Sequence, residues 1–314
     1  MSRIAFIFPG QGSQYVGMGR QLHEASPVAR ELFARADEVL GSPLSRICFE
    51  GPEEELVKTG NTQPGIFTVS AIIQTLLRER GIVPVAAAGH SLGEYAALYC
   101  AGALSFEDAL LLVVERGRAM NEASEARRGA MSAVIGLSPE QVGAACAGAV
   151  SAGIVQVANI NSPEQVVITG EDVAVKAAGE AAAVAGAKRV IPLPVHGAFH
   201  SPLMGSAADR LKRYLVNVKI TPPDIAFVNN ADARILEDPE EIRDSLARQM
   251  TSCVRWVESV ERLISSGIIA MVEAGPGKVL MGLGRRIAKD IPVLPCETPE
   301  EIVKTADRLA GAKD

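Results

Sequence analysis

The chain has 314 residues, of which 48% are apolar and 22% charged, with a formal net charge of −6. That balance excludes a fibrous or disordered polypeptide, and the length is ample for the core of one large domain or two ordinary ones. The acidic sum argues against a broad nucleic-acid surface, and no run approaches the roughly 20 apolar residues of a membrane span.

Residues 3–8, RIAFIF, read as a short buried strand ended by Pro9-Gly10. Helical patterns follow around 27–40 and 64–80, and VPVAAAG (83–89) is a second short apolar run. Next comes GHSLGEYAALYCAGAL, a turn and a helix, then a longer helix over about 106–126 with Ser105 as its cap. Strands alternating with helices favour a parallel sheet.

The middle of the chain has a different rhythm. AMSAVIGL (130–137) reads as a strand, and Ser138-Pro139 opens a helix to about 149. GIVQVANI (153–160) and QVVITG (165–170) read as strands joined through Asn161-Ser162-Pro163. An Ala-rich helix covers 172–187, and KRVIPLPV (188–195) is a last strand. This β-α-β-β-α-β order is that of a ferredoxin-like subdomain inserted in a larger α/β domain. The expected division is 1–127 with 197–314 for the larger domain and 128–196 for the insert. Arg127-Arg128-Gly129 and the Pro192–Gly197 stretch would be its hinges.

Five scattered cysteines, Cys48, Cys100, Cys146, Cys253 and Cys296, form no CxxC or Cys/His cluster. They read as reduced thiols rather than disulfides or metal ligands. The start, MSRIAFIFPG, has no apolar stretch of signal-peptide length, so a cytoplasmic protein is expected.

The sharpest local signal is Gly89-His90-Ser91-Leu92-Gly93, a G-x-S-x-G between an apolar strand and a helix. That setting is the one a nucleophile elbow needs. Its glycines relieve crowding at a strained turn, and the helix N-terminus behind it offers N–H groups to an oxyanion. The Leu92 N–H is the natural first donor. The bland alternative is a glycine turn with an incidental serine.

A nucleophilic serine needs a base. Of the histidines, His90 lies inside the turn and His23 on an early polar helix. His196 and His200, in VHGAFHSPLM, both follow the insert, and spacing does not separate them. No acidic residue stands out as a third member, and backbone or amide carbonyls would serve to orient the imidazole.

Arg116 shares the stripe of Ala109, Val113 and Met120 on an apolar helix. A buried guanidinium requires an anionic or polar partner. It is either a two-pronged clamp for a substrate carboxylate or half of a structural ion pair. The first loop, Pro9-Gly10-Gln11-Gly12-Ser13-Gln14, lacks the Lys-Ser/Thr of a phosphate loop. Gln11 is placed there to point an amide or N–H at an oxyanion, unless the loop is a simple turn.

FPGQGSQ, NTQP (61–64), GHSLGEYAAL, ERG (115–117), NINSPEQVVITG (159–170), FHSPLM (199–204) and EAGPGKVL (273–280) occur in that order. Together, and over essentially the whole chain, they resemble the malonyl-CoA:acyl carrier protein transacylases of bacterial fatty-acid synthesis. The acyltransferase domains of polyketide synthases share most of these motifs. The resemblance implies an α/β-hydrolase-like large domain beside the ferredoxin-like insert. It implies Ser91 as the acylated nucleophile, His200 as base and Arg116 as the carboxylate clamp. Gln11 and Leu92 would supply oxyanion N–H groups, Gln63 would line the pocket, and the Gln249 backbone carbonyl would orient the histidine. Asn159 and Asn161 match a motif near the cleft, without an assigned chemistry. Leu92 and Phe199 fit the malonyl-type rather than the methylmalonyl-type pattern.

The implied reaction is ping-pong transfer of malonyl from malonyl-CoA to the phosphopantetheine thiol of acyl carrier protein. No metal or cofactor of the enzyme's own is needed, and a monomer is expected. Lys188, Arg189, Lys212 and Arg213 are candidates for meeting an acidic carrier, or simply a solvated basic face. Rivals are service to a polyketide carrier, a serine thioesterase or esterase, and a non-catalytic carrier-docking module.

Overall fold

A computed structural model describes residues 3–195 and 197–311. The expectation for His196 lies outside the described residues. The strands are β1 (Ile4–Phe8), β2 (Ala86–Gly89), β3 (Ala130–Ile135), β4 (Val155–Ser162), β5 (Gln165–Gly170), β6 (Arg189–Pro192), β7 (Ala226–Val228), β8 (Ile235–Leu236), β9 (Ala270–Ala274) and β10 (Val293–Cys296).

Among the described residues these strands form two sheets. The larger has the order β10-β9-β1-β2-β7-β8. Its neighbours are parallel except for β8, which turns back antiparallel to β7. The second sheet, β4-β5-β3-β6, is antiparallel throughout. The chain is therefore an α/β protein with a mixed, mainly parallel sheet and a separate antiparallel one.

Every residue of β1 is buried, as a central parallel strand requires. The pleat sends Ile4, Phe6 and Phe8 into one apolar cluster and Ala5 and Ile7 into another on the opposite face. Helices Thr59–Glu79 and Phe106–Ala126 cover the first face, and helix Trp256–Ser265 covers the second. Ser105 caps its helix, its Oγ accepting from Asp108 N–H at 3.0 Å. Ser138 and Gln141 form a reciprocal capping box at the start of helix Pro139–Gly148.

Element boundaries moved for physical reasons. The run 83–89 contributes a strand only from Ala86, because Pro84 has no N–H and Val83 and Val85 are exposed. Pro64 sits inside helix Thr59–Glu79 rather than at its start. β4 continues through Asn161 and Ser162 with register shifts at Val157/Asn159 and Ile160/Ser162, so Asn161 lies on a bulged strand, not in a turn. The same strand touches the larger sheet's loops: Val254 N–H donates to Ala158 O at 2.8 Å, and Ile160 N–H to Val254 O at 3.0 Å.

Candidate active site

β2 ends at Gly89, and helix Gly93–Cys100 begins four residues later, so the reversal is tight. Ser91 at its apex has φ 51°, a left-handed conformation that a side chain adopts only under constraint. A Cβ on Gly89 would lie 1.9 Å from the Gly93 carbonyl, and one on Gly93 would lie 2.1 Å from Phe8 O. The helix thus starts against the ends of β1 and β2 only because both positions are glycine. Gly93→Ala is expected to lower stability by about 3 kcal/mol or more and to abolish Ser91 reactivity. A thermal melt and a serine-directed acylation assay check this, and a folded, reactive variant would contradict it.

Asn230, just beyond β7, holds the turn from outside. Its Oδ1 accepts from Ser91 N–H at 2.7 Å, and its Nδ2 donates to Gly89 O at 2.6 Å. His90 is held by Asn161 of the small sheet, with Nε2 and Oδ1 2.8 Å apart.

Three sequence-selected side chains converge on one hydroxyl. Ser91 Oγ lies 2.8 Å from His200 Nε2 and 3.0 Å from Arg116 Nη2. His200 Nδ1 donates to Gln249 O at 2.9 Å. A carbonyl only accepts, so Nδ1 carries the proton, and Nε2 presents its lone pair to the serine. His200 also has a left-handed backbone, φ 59°, and Gln156 Nε2 donates to its carbonyl at 2.8 Å. Burial, reinforced by the Arg116 charge, pushes the His200 pKa down from 6.5 to about 3.

Arg116 is 1% exposed. Its Nη2 also donates to Gln249 Oε1 at 3.1 Å, its guanidinium lies 5.8 Å from the Tyr95 ring centroid, and its Nε has no partner among the described residues. Burial lowers its pKa, while the nearby Tyr95 and Glu94 oppose that shift. A buried cation with an unused N–H, 3.0 Å from a nucleophile, is equipped to receive a carboxylate.

The remaining expected residues divide. The Leu92 N–H donates to no acceptor among the described residues and begins the helix behind Ser91. Gln11 is exposed on the loop after β1, and a Cβ on neighbouring Gly10 would lie 2.5 Å from His90 O, so that loop packs on the elbow. Gln63 is fully buried, with Nε2 3.4 Å from Met120 Sδ and Oε1 unpartnered. Gln249 supplies the carbonyl expected of it, and its side chain adds bonds that the sequence reading did not foresee.

Asn230 and Glu94 were also missed. Glu94 is a charged residue in the otherwise apolar first turn of GEYAALYC, which is the signal that marks it. It is fully buried, and that burial raises its pKa to about 7 against the opposing Gln249 bond.

The acyl transferase domain model matches residues 5–301. The chain belongs to that acyl transferase family. It is 45% identical to the malonyl CoA-acyl carrier protein transacylase of Bacillus subtilis, over 100% of this chain and 99% of the relative. The solved malonyl CoA-acyl carrier protein transacylase of Coxiella burnetii is 40% identical with a TM-score of 0.96, covering 98% of each chain. A malonyl-transacylase solved in complex with a type II PKS acyl-carrier protein is 42% identical with a TM-score of 0.95, covering 98% of this chain and 100% of that one.

Proposed function

We propose that this protein transfers a malonyl group from malonyl-CoA to the phosphopantetheine thiol of an acyl carrier protein through a malonyl-Ser91 ester. The observation that carries this reading is a single hydroxyl held by both a neutral imidazole and a buried guanidinium. His200 Nε2 takes the Ser91 proton as Oγ attacks the thioester carbonyl. The tetrahedral oxyanion is met by the Leu92 and Gln11 N–H groups. Coenzyme A leaves with the proton from His200. The carrier thiol then gives its proton to His200, attacks the ester and restores Ser91, so the kinetics are ping-pong. Gln249 O fixes the imidazole in place of an aspartate, and Gln63 borders the acyl pocket. Arg116 pairs with the malonyl carboxylate, and acetyl would leave it unpaired.

The larger sheet, with its nucleophile at the C-terminal end of β2, supports a hydrolase-like reading of 1–127 with 197–314. The β-α-β-β-α-β order supports a ferredoxin-like reading of 128–196. The reaction draws on no cofactor of the enzyme's own. Free thiols at all five cysteines support a reducing, cytoplasmic setting. Likeness to a transacylase bound to a type II PKS carrier favours, as a second reading, service to a polyketide carrier.

The test is to isolate the acylated protein free of coenzyme A and offer it water, then a phosphopantetheinylated carrier. Transfer to the carrier with slow loss to water supports the proposal, and rapid release of malonate with no transfer rejects it.

The depressed His200 pKa has a sign that kinetics can read. Lowering it favours the neutral imidazole, so the base survives into acid and is lost only as pH falls toward about 3. The acylation rate constant is expected to stay level from about pH 8 to about pH 5. A half-loss centred near 6.5, the ordinary histidine value, would contradict the buried environment.

A further inference from the structure

The buried carboxyl of Glu94 takes no part in the chemistry above. It lies in the first turn of helix Gly93–Cys100, directly behind the nucleophile. Its Oε2 accepts from Gln249 Nε2 at 2.6 Å and from Asn230 N–H at 3.3 Å, while Oε1 has no partner among the described residues. Asn230 and Gln249 both hold the main chain of Ser91. Asn230 holds Ser91 N–H, and Gln249 Nε2 also donates to Ser91 O at 2.9 Å.

A side-chain amide has one donating and one accepting prong, and Glu94 Oε2, which already receives the Asn230 N–H, is an acceptor whether or not Oε1 holds a proton. Glu94 therefore draws the Gln249 NH2 toward itself. The Gln249 Oε1 must then face outward, where it accepts from Arg116 Nη2 at 3.1 Å. The reversed amide would set oxygen against Glu94 Oε2 and Ser91 O and NH2 against the guanidinium, so all three contacts would be lost. A buried polar network of this kind has one low-energy arrangement only when every member agrees.

We propose that Glu94 is a positioning residue for acyl selection: through the Gln249 amide it holds the Arg116 guanidinium where it receives the substrate carboxylate. This rests on the reading of Arg116 given above. Glu94 touches no reacting atom, and its influence passes along Glu94–Gln249–Arg116.

The test is the second-order rate constant for Ser91 acylation with malonyl-CoA and with acetyl-CoA. It is measured on the intact chain and on Glu94→Leu, Glu94→Gln, Gln249→Ala, the Glu94→Leu/Gln249→Ala double variant and Arg116→Ala. Glu94→Leu is expected to lower the malonyl-to-acetyl ratio about tenfold. Glu94→Gln, whose carbonyl still accepts from Gln249, keeps most of it. Gln249→Ala retains the backbone carbonyl to His200 but matches Glu94→Leu, and the double variant is no worse than either single one. An unchanged ratio, an equal fall with both donors, or additive losses would overturn the proposal. If Glu94→Leu does not fold, Glu94→Ala is read in its place: a lowered ratio supports the relay and an unchanged one ends it. A ratio unmoved by Arg116→Ala defeats the reading of Arg116 itself. A collapse there, with the Glu94 and Gln249 variants unaffected, defeats only the role of Glu94.

Discussion

Replacement of Ser91 by alanine lowers turnover of malonyl-CoA by a factor of about 10⁴ or more, with little change in stability. The Ser91 hydroxyl is the nucleophile that His200 Nε2 and Arg116 Nη2 both contact. Without it, no ester forms, and the remaining N–H donors and binding contacts supply only residual rate enhancement. Stability is little affected, because the elbow is shaped by backbone. Gly89 and Gly93 permit the close approach, and Asn230 holds the Ser91 N–H and the Gly89 carbonyl, all of which the variant keeps. Steady-state transfer to the carrier and a thermal melt check this. Retained turnover would place the nucleophile elsewhere, and a large loss of stability would leave the activity change uninterpretable as chemistry.

Arg116→Ala moves the two acyl donors in opposite directions. Malonyl-CoA loses a charge-assisted contact made in a solvent-excluded site, worth about 3 kcal/mol, or roughly a hundredfold in kcat/KM. Acetyl-CoA, which leaves the wild-type guanidinium unpaired, improves. The guanidinium is 1% exposed and anchored on Gln249 Oε1, so solvent screening is weak. Acylation rates with both donors read this directly. Parallel losses for both would mean that Arg116 serves the fold or the serine alone, and not the carboxylate.

How much was legible in the sequence follows from how locally each feature is encoded. The elbow is local: glycines two residues to either side of Ser91, between an apolar run and a helix, specify the turn, and the distances at Gly89 and Gly93 give the steric reason. The β-α-β-β-α-β middle was equally plain, because alternating patterns and the Ser138 cap are short-range signals. The base was not local. Spacing left His196 and His200 level, and only the ordered motifs of the resemblance favoured His200, whose Nε2 lies 2.8 Å from Ser91 Oγ.

The clamp beneath the serine was the least legible. Asn230 and Gln249 are 139 and 158 residues from Ser91, and no pattern of hydrophobicity announces a contact at that separation. Gln249 acts partly through its main chain, where residue type carries no information at all. Glu94 did leave a trace, a carboxylate in the first turn of an apolar helix, but position in sequence does not say which amides it would meet. The strand at 83–89 came out short because apolar character cannot replace the N–H that Pro84 lacks.

The central claim is that Ser91 carries the acyl group, and intact-protein mass after brief exposure to malonyl-CoA tests it most directly. One malonyl adduct on the wild-type chain is predicted, with none on Ser91→Ala and far less with acetyl-CoA. An adduct of equal size on Ser91→Ala, or none on the wild type without release of malonate, would contradict the account.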